Sequence, residues 1–290
     1  YVKASREANS AIGDRSNDAL RVDGRDLRCK VVGEGGNLGL SQLGRIEFAL
    51  NGGRINTDFV DNSGGVDCSD HEVNIKIQLD VVRRRTKLTA GARNKLLADM
   101  TDDVGALVLR DNYLQSQAIS LLEANAAERL GEHAHFIRAL ELDGLLDRAL
   151  EFLPSAEEIE ERSRIGRGLT RPELSMVLSY AKIALNNQLI HSDVPEDPYL
   201  GRELDRYFPD RLSRRYASLL GQHRLKREII TTATTNSIVN RMGPTFVART
   251  QQDTGADVAT VSRAYTIARE VFDVRDVWQS VERLDNKVAA

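Results

Sequence analysis

Cysteine is scarce in this chain, with only Cys29 and Cys68 among 290 residues. That excludes a disulfide framework, and the two lie outside any C-x-x-C pattern. Each is expected to serve as a small buried hydrophobe. Histidine is almost as sparse: five residues, without an H-x-x-x-H pair or a Cys/His cluster, so no metal site is expected. His71, between Asp70 and Glu72, reads as a surface or capping residue, although it could be proposed as a base for Cys68. Proline is missing from the first 153 residues, and all six prolines follow. No apolar run reaches the length of a transmembrane helix and no signal peptide is recognisable, so a soluble cytoplasmic protein without a membrane partner is expected. Charge of one sign is also missing. With 40 basic and 43 acidic residues the net charge is −3, which provides no field for nucleic acid or an acidic membrane. The one basic run, Arg83 to Arg85 with Lys87, reads as a solvated helix end.

What is present is glycine, concentrated early: eleven of the 21 glycines precede residue 81. A strand-like run over residues 27–32 empties into Gly33, Glu34, Gly35, Gly36, Asn37, Leu38 and Gly39, and a helix-like run follows over residues 41–50. A strand that opens through a glycine loop onto a helix start brings free N–H groups and a positive dipole end together, which suits an anion or a cofactor. A second turn, Asp61, Asn62, Ser63, Gly64, Gly65 and Val66, is expected at another strand end, before a helix carrying Ser69, Asp70, Glu72 and Asn74. Two such ends side by side would form a crevice at the carboxyl edge of a sheet. Tight turns alone would also call for these glycines, and the fingerprint G-x-G-x-x-G is absent because Leu38 stands where its third glycine would be.

From about Thr89 the pattern turns helical. Val104, Leu107, Leu114, Ala118 and Leu121 fall at helical spacing and predict one apolar face over residues 102–128. Ser155 with Glu158, and Thr170 with Pro172 and Glu173, read as capping boxes. Residues 191–199, with Pro195 and Pro198, read as an ordered loop, and a helix from Leu225 should break at Gly243 and Pro244. Within that helix the run Thr231, Thr232, Ala233, Thr234, Thr235, Asn236 and Ser237 is expected to pack tightly with its hydrogen bonds satisfied internally. The sharper alternative turns Asn236 or Asn240 toward the crevice.

Residues 33–74, with GDRSNDALRV at 13–22 and GLTRPELSMVLSYAK at 168–182, resemble the C-terminal part of the large NAD-specific glutamate dehydrogenases of bacteria. In glutamate dehydrogenases an E-G-A-N loop is followed by an Asn-x-Gly-Gly-Val segment and, three residues after the Val, a serine. Here these read Glu34, Gly35, Gly36, Asn37, then Asn62, Ser63, Gly64, Gly65, Val66, then Ser69. The resemblance implies the end of a Rossmann-like nucleotide-binding domain over residues 1–80 and a mainly helical C-terminal domain over 81–290, an α/β part followed by an α part.

It also implies NAD as cofactor, held by Gly35, Gly36, Asn37, Asn62, Gly64 and Gly65, with Ser69 on the distal carboxylate of glutamate. The reaction would be oxidative deamination of L-glutamate to 2-oxoglutarate and ammonia, in a homo-oligomer of the full-length protein. The family's catalytic lysine and aspartate match no position here. The chain therefore reads as a fragment, inactive and weak in NAD binding by itself. Leu38 and Gly39 also replace the Gly-Pro of the smaller enzymes. The competing reading is a non-catalytic helical module for assembly or regulation.

Overall fold

The computed structural model describes residues 1–285 and 287. Strands are minimal: β1 (Val2–Lys3) pairs in parallel with β2 (Val22–Asp23), and isolated parallel bridges join Val2 to Leu40 and Val31 to Arg54. The expected strand over residues 27–32 is therefore reduced to one bridge. A strand is stable only when neighbours satisfy its N–H and C=O groups along its length, and here Val32 N–H to Arg54 C=O and Arg54 N–H to Lys30 C=O are the ladder contacts it makes.

Helices dominate. Eleven of nine residues or more occur among the described residues: α1 (Gln42–Leu50), α2 (Ser63–Arg85), α3 (Ala90–Asp99), α4 (Thr101–Ala124), α5 (Leu130–Leu142), α6 (Ala156–Arg164), α7 (Arg171–Ile190), α8 (Lys226–Met242), α9 (Phe246–Thr254), α10 (Val258–Val271) and α11 (Val274–Glu282). Short polar side chains start several of them, as expected from their ability to accept an otherwise orphaned N–H. Ser41 accepts from Gly44 N, Thr89 from Ala92 N and Asp257 from Thr260 N. Both capping boxes are present. Glu173 also takes two hydrogen bonds from Arg162, at 2.7 and 2.8 Å, which ties α6 to the start of α7. Helix α8 ends at Gly243, whose φ of +89° is open to glycine, and Pro244 follows.

The core lies where α4, α5, α7 and α8 meet, around Ile119, Ile137, Leu174, Val177, Leu189 and Ile238. A second cluster, including Leu79, Met100, Phe208 and Ile230, sits between α2 and the chain before and within α8. A third, Leu40, Phe48 and Ile55, packs under Val2, Leu27 and Val32. Helix α4 departs from the expected apolar face. Val108, Ala118, Ile119 and Leu122 are buried, whereas Leu121 is exposed and Leu107 and Leu114 line a cleft. A long helix touched on two sides does not carry a single stripe.

Two parts of the chain are stitched together around Arg171. Its guanidinium donates to Asn56 Oδ1, Ser120 Oγ and Glu123 Oε2, and Thr57 Oγ1 donates to the Pro172 carbonyl. The early glycine-rich region is thereby fixed on α4 and α7. No described helix is long and apolar enough to cross a membrane.

Candidate functional site

Glu34 anchors the glycine loop from inside. It is 6% exposed, and its carboxylate accepts from Arg45 Nε at 2.8 Å and Arg45 Nη2 at 2.9 Å, as well as from the backbone N–H of Gly39 and Leu40. Arg45 on α1, itself 4% exposed, also reaches Asp58 Oδ2 at 3.2 Å, and Asp58 accepts the Leu38 N–H. Asp61 accepts the Glu34 N–H and the Asn56 amide. Each buried charge thus has an opposite charge and further hydrogen bonds, the condition under which burying it is tolerable. Leu38 bears the consequence: its φ is +61°, a left-handed conformation unusual for leucine, and its side chain points to solvent.

With the inner side anchored, the outer side of the loop is open. Gly35, Gly36 and Asn37 are exposed, and among the described residues nothing beyond the adjacent residues lies within 4 Å of the place where a Cβ on Gly35 or Gly36 would sit. The second turn does not follow a strand, contrary to the sequence reading. It joins a short helix, Asp58–Asp61, to α2, so Gly64 and Gly65 belong to the first turn of α2. A strand end is unnecessary because Asn62 brings the two segments together directly: its Nδ2 donates to Asn37 Oδ1. Ser69 is exposed on α2, with its Oγ donating to the Gly65 carbonyl at 3.4 Å. It has no hydrogen bond to either asparagine, but lies on the same helix face as Asn62 and Gly65 by spacing.

Beside this loop pair, a cleft of about 490 Å³ opens between α2, α4, α8 and α11, and a second hollow of about 300 Å³ adjoins it. Asp67, Asp70, Asp111, Asn236 and Asn240 line both. The polar run of α8 therefore divides by side. Thr231, Thr234 and Thr235 are buried, as expected, but their hydroxyls find no hydrogen-bond partner among the described residues, so packing rather than internal hydrogen bonding accounts for them. Asn236 and Asn240 face this cleft between the helices, whose lining does not include the glycine loop. Behind Arg206 and Arg275 of the lining, burial opposes ionisation of Glu270, but a hydrogen bond from Arg275 and the charges of Arg206 and Arg269 win and hold its carboxyl at about 2.

His71 is corrected outright. It is 2% exposed, not on the surface, and stacks on Tyr207 with ring centroids 4.5 Å apart. Its Nε2 lies 3.8 Å from Asp67 Oδ1 and 3.9 Å from Asp111 Oδ2, and neither ring nitrogen has a hydrogen-bond partner among the described residues, so it neither caps a helix nor engages the Cys68 thiol. Asp67 responds to this setting: burial, then the Asp111 charge, push its carboxyl up to about 6 against the pull of His71. Burial likewise brings Lys182 down to about 8, opposed by Asp111. Cys29 is exposed rather than buried. No His–His or Cys–His spacing marks this cluster in the sequence; its signal there is Asp67 and His71, one helical turn apart. The corresponding signal for Arg45 is a guanidinium among the apolar positions of α1.

Residues 1–122 match the family described as bacterial NAD-glutamate dehydrogenase, catalytic domain, and residues 166–290 match glutamate dehydrogenase, C-terminal. Among curated proteins, NAD-specific glutamate dehydrogenases are similar along essentially the whole chain. That of Halomonas elongata is 54% identical over 288 residues, that of Pseudomonas aeruginosa 53% over 290 and that of Mycobacterium tuberculosis 42% over 289. The chain covers 99–100% of its own length in these comparisons and spans 18% of each relative. No solved structure matches it significantly.

Proposed function

The chain belongs to the family of the large bacterial NAD-specific glutamate dehydrogenases, and from that premise we propose that it completes the cofactor and substrate crevice of such an enzyme. The reaction is oxidative deamination of L-glutamate to 2-oxoglutarate and ammonia. Residues 1–80 form the end of a Rossmann-like dinucleotide-binding domain, in keeping with the exclusively parallel pairing among the described residues. Residues 81–290 form the helical C-terminal domain, and α2 runs across the boundary.

NAD, when bound, would supply the hydride acceptor for the α-carbon of glutamate. The residues here hold and orient. Gly35, Gly36 and Gly65, which have no neighbour to meet a Cβ, let backbone N–H groups come close to the cofactor. Asn37 and Asn62, already paired, keep spare donor and acceptor capacity for the nicotinamide and its ribose. Gly64 keeps the first turn of α2 slim, and the positive end of that helix favours the negative ligand. Ser69, exposed on the same face, donates to the distal carboxylate of glutamate. The acid and base come from elsewhere in the full-length protein.

The observation that carries this reading is the direct contact between Asn37 and Asn62, which joins two loops distant in sequence at an open surface. Asn62→Ala and Asn37→Ala in the full-length protein are expected to raise KM for NAD by about tenfold, the effect of losing one or two polar contacts to a ligand. Unchanged NAD kinetics in both would favour the non-catalytic module instead. We further place the protein in the cytoplasm as a homo-oligomer. The exposed apolar side chains Val271, Phe272, Val277 and Val281 provide a surface for self-association, which light scattering would test.

A further inference from the structure

We propose that Asp67, His71 and Asp111 form a binding site for a divalent first-row transition-metal ion, of the Zn²⁺ or Mn²⁺ class, that clamps α2 to α4. His71 is buried at 2% exposure, yet neither ring nitrogen has a hydrogen-bond partner among the described residues, and Asp67 Oδ2 is also buried without one. An unsatisfied buried polar group is costly, so native structures rarely keep one without a reason.

The geometry supplies the reason. Stacking on Tyr207, at an interplanar angle of 23°, fixes the imidazole plane, and Nε2 then faces one carboxylate oxygen of Asp67 and one of Asp111. Separations of 3.8 and 3.9 Å are too long for hydrogen bonds. They are nearly right for donors that share an ion: all three ligand atoms lie within 4.8 Å of one another. With metal–ligand distances of about 2.0–2.2 Å, donors need to stand about 3–3.5 Å apart, so a side-chain movement of about an ångström closes the site. Asp111, whose side chain is 56% exposed, is free to make it.

Lys182 feels the charge of Asp111, but no local cation forms an ion pair with Asp67 or Asp111 among the described residues. Lys182 donates its hydrogen bond to Gln115 Oε1 at 2.9 Å, and Arg110 and Arg241 both pair with Glu282 at 2.6 Å. Asp70 is engaged by Tyr207 and Asn74, which leaves the outer coordination positions to water from the adjoining hollow. One imidazole and two carboxylates select a borderline transition ion over Ca²⁺ or Mg²⁺, which prefer oxygen alone. Asp67 stands two residues before Ser69, so the clamp also fixes the turn of α2 that presents the serine.

The test uses the full-length protein, stripped with a chelator and titrated with Zn²⁺ by calorimetry and with Co²⁺ by visible absorption, alongside its thermal unfolding midpoint. One ion per chain, a raised midpoint and Co²⁺ bands of a nitrogen/oxygen site are expected. Asp111→Asn should weaken binding by at least about tenfold, and because Asp111 is solvent-exposed this variant keeps its fold. His71→Gln should do the same. Absence of ion binding, or binding equally tight in Asp111→Asn, would overturn the proposal.

Discussion

Replacing Arg45 by methionine tests the claim that a buried ion triad holds the glycine loop. The change preserves most of the aliphatic stem and removes the guanidinium, which donates to Glu34 at 2.8 and 2.9 Å and reaches Asp58 at 3.2 Å. Glu34, Arg45 and Asp58 are all at least nine-tenths buried, so water does not replace the lost partner. Removing one member of a buried ion pair costs about 3–5 kcal/mol, because the remaining charge stays desolvated. The Gly39, Leu40 and Leu38 N–H groups still serve the two carboxylates and place the expected loss toward the lower end. Against a total stability of about 5–15 kcal/mol this is a large fraction. Urea unfolding followed by circular dichroism reads it as a fall in midpoint. Adding Glu34→Gln should recover part of the loss, since one uncompensated charge disappears while the amide oxygen still accepts from Gly39 and Leu40. An Arg45→Met variant within about 0.5 kcal/mol of wild type, well below the cost of an orphaned buried charge, would refute the reasoning.

Gly168→Ala should lower the melting midpoint sharply, because its Cβ would stand 2.2 Å from the Ala126 carbonyl carbon and overpacking costs about 1–3 kcal/mol. Gly105→Ala, in the interior of α4 with open space at the Cβ position, should instead raise stability by about 0.5–1 kcal/mol. The pair separates steric need from helix propensity in one calorimetric series. Burial lowers the His133 imidazole below its ordinary value. The folded protein thus binds fewer protons than the unfolded chain, and stability present above pH about 6.5 is lost as pH falls toward the lowered folded value, by up to about 1.4 kcal/mol per pH unit. Melting midpoints between pH 7.5 and 5.5 should fall less steeply in His133→Gln; parallel curves would reject the assignment.

Local chemistry was legible in the sequence where it acts within a few residues. The capping boxes at Ser155 and Thr170 and the stop at Gly243 and Pro244 depend on groups three or four positions apart, and the structure has each of them. The solvated helix end at Arg83 to Arg85 is exposed as expected. Strand expectations failed at residues 27–32 because the ladder is made by partners elsewhere in the chain, and here those partners contribute one bridge. The divided character of α4 was hidden for a related reason: Leu107 and Leu114 satisfy the apolar periodicity, but they face a cleft formed with α2 and α8.

Within the site, the glycine and asparagine positions could be singled out from turn chemistry and resemblance, whereas what fixes them could not. Arg45 lies eleven residues from Glu34 in sequence, and only folding places it beneath the loop. His71 illustrates the same limit in reverse. Flanked by Asp70 and Glu72 it reads as a surface residue, yet the turn of α2 sends it inward against Tyr207, more than a hundred residues away in the chain.

The most direct test of the account is NADH formation from L-glutamate by the full-length protein, followed by absorbance, with wild-type Ser69 and with Ser69→Ala. Loss of one hydrogen bond to a carboxylate, about 1.5–3 kcal/mol, predicts a fall in kcat/KM for glutamate of about ten- to a hundredfold with little change in KM for NAD. Equal losses for both ligands, or turnover indifferent to the substitution, would contradict the placement of glutamate against this face of α2.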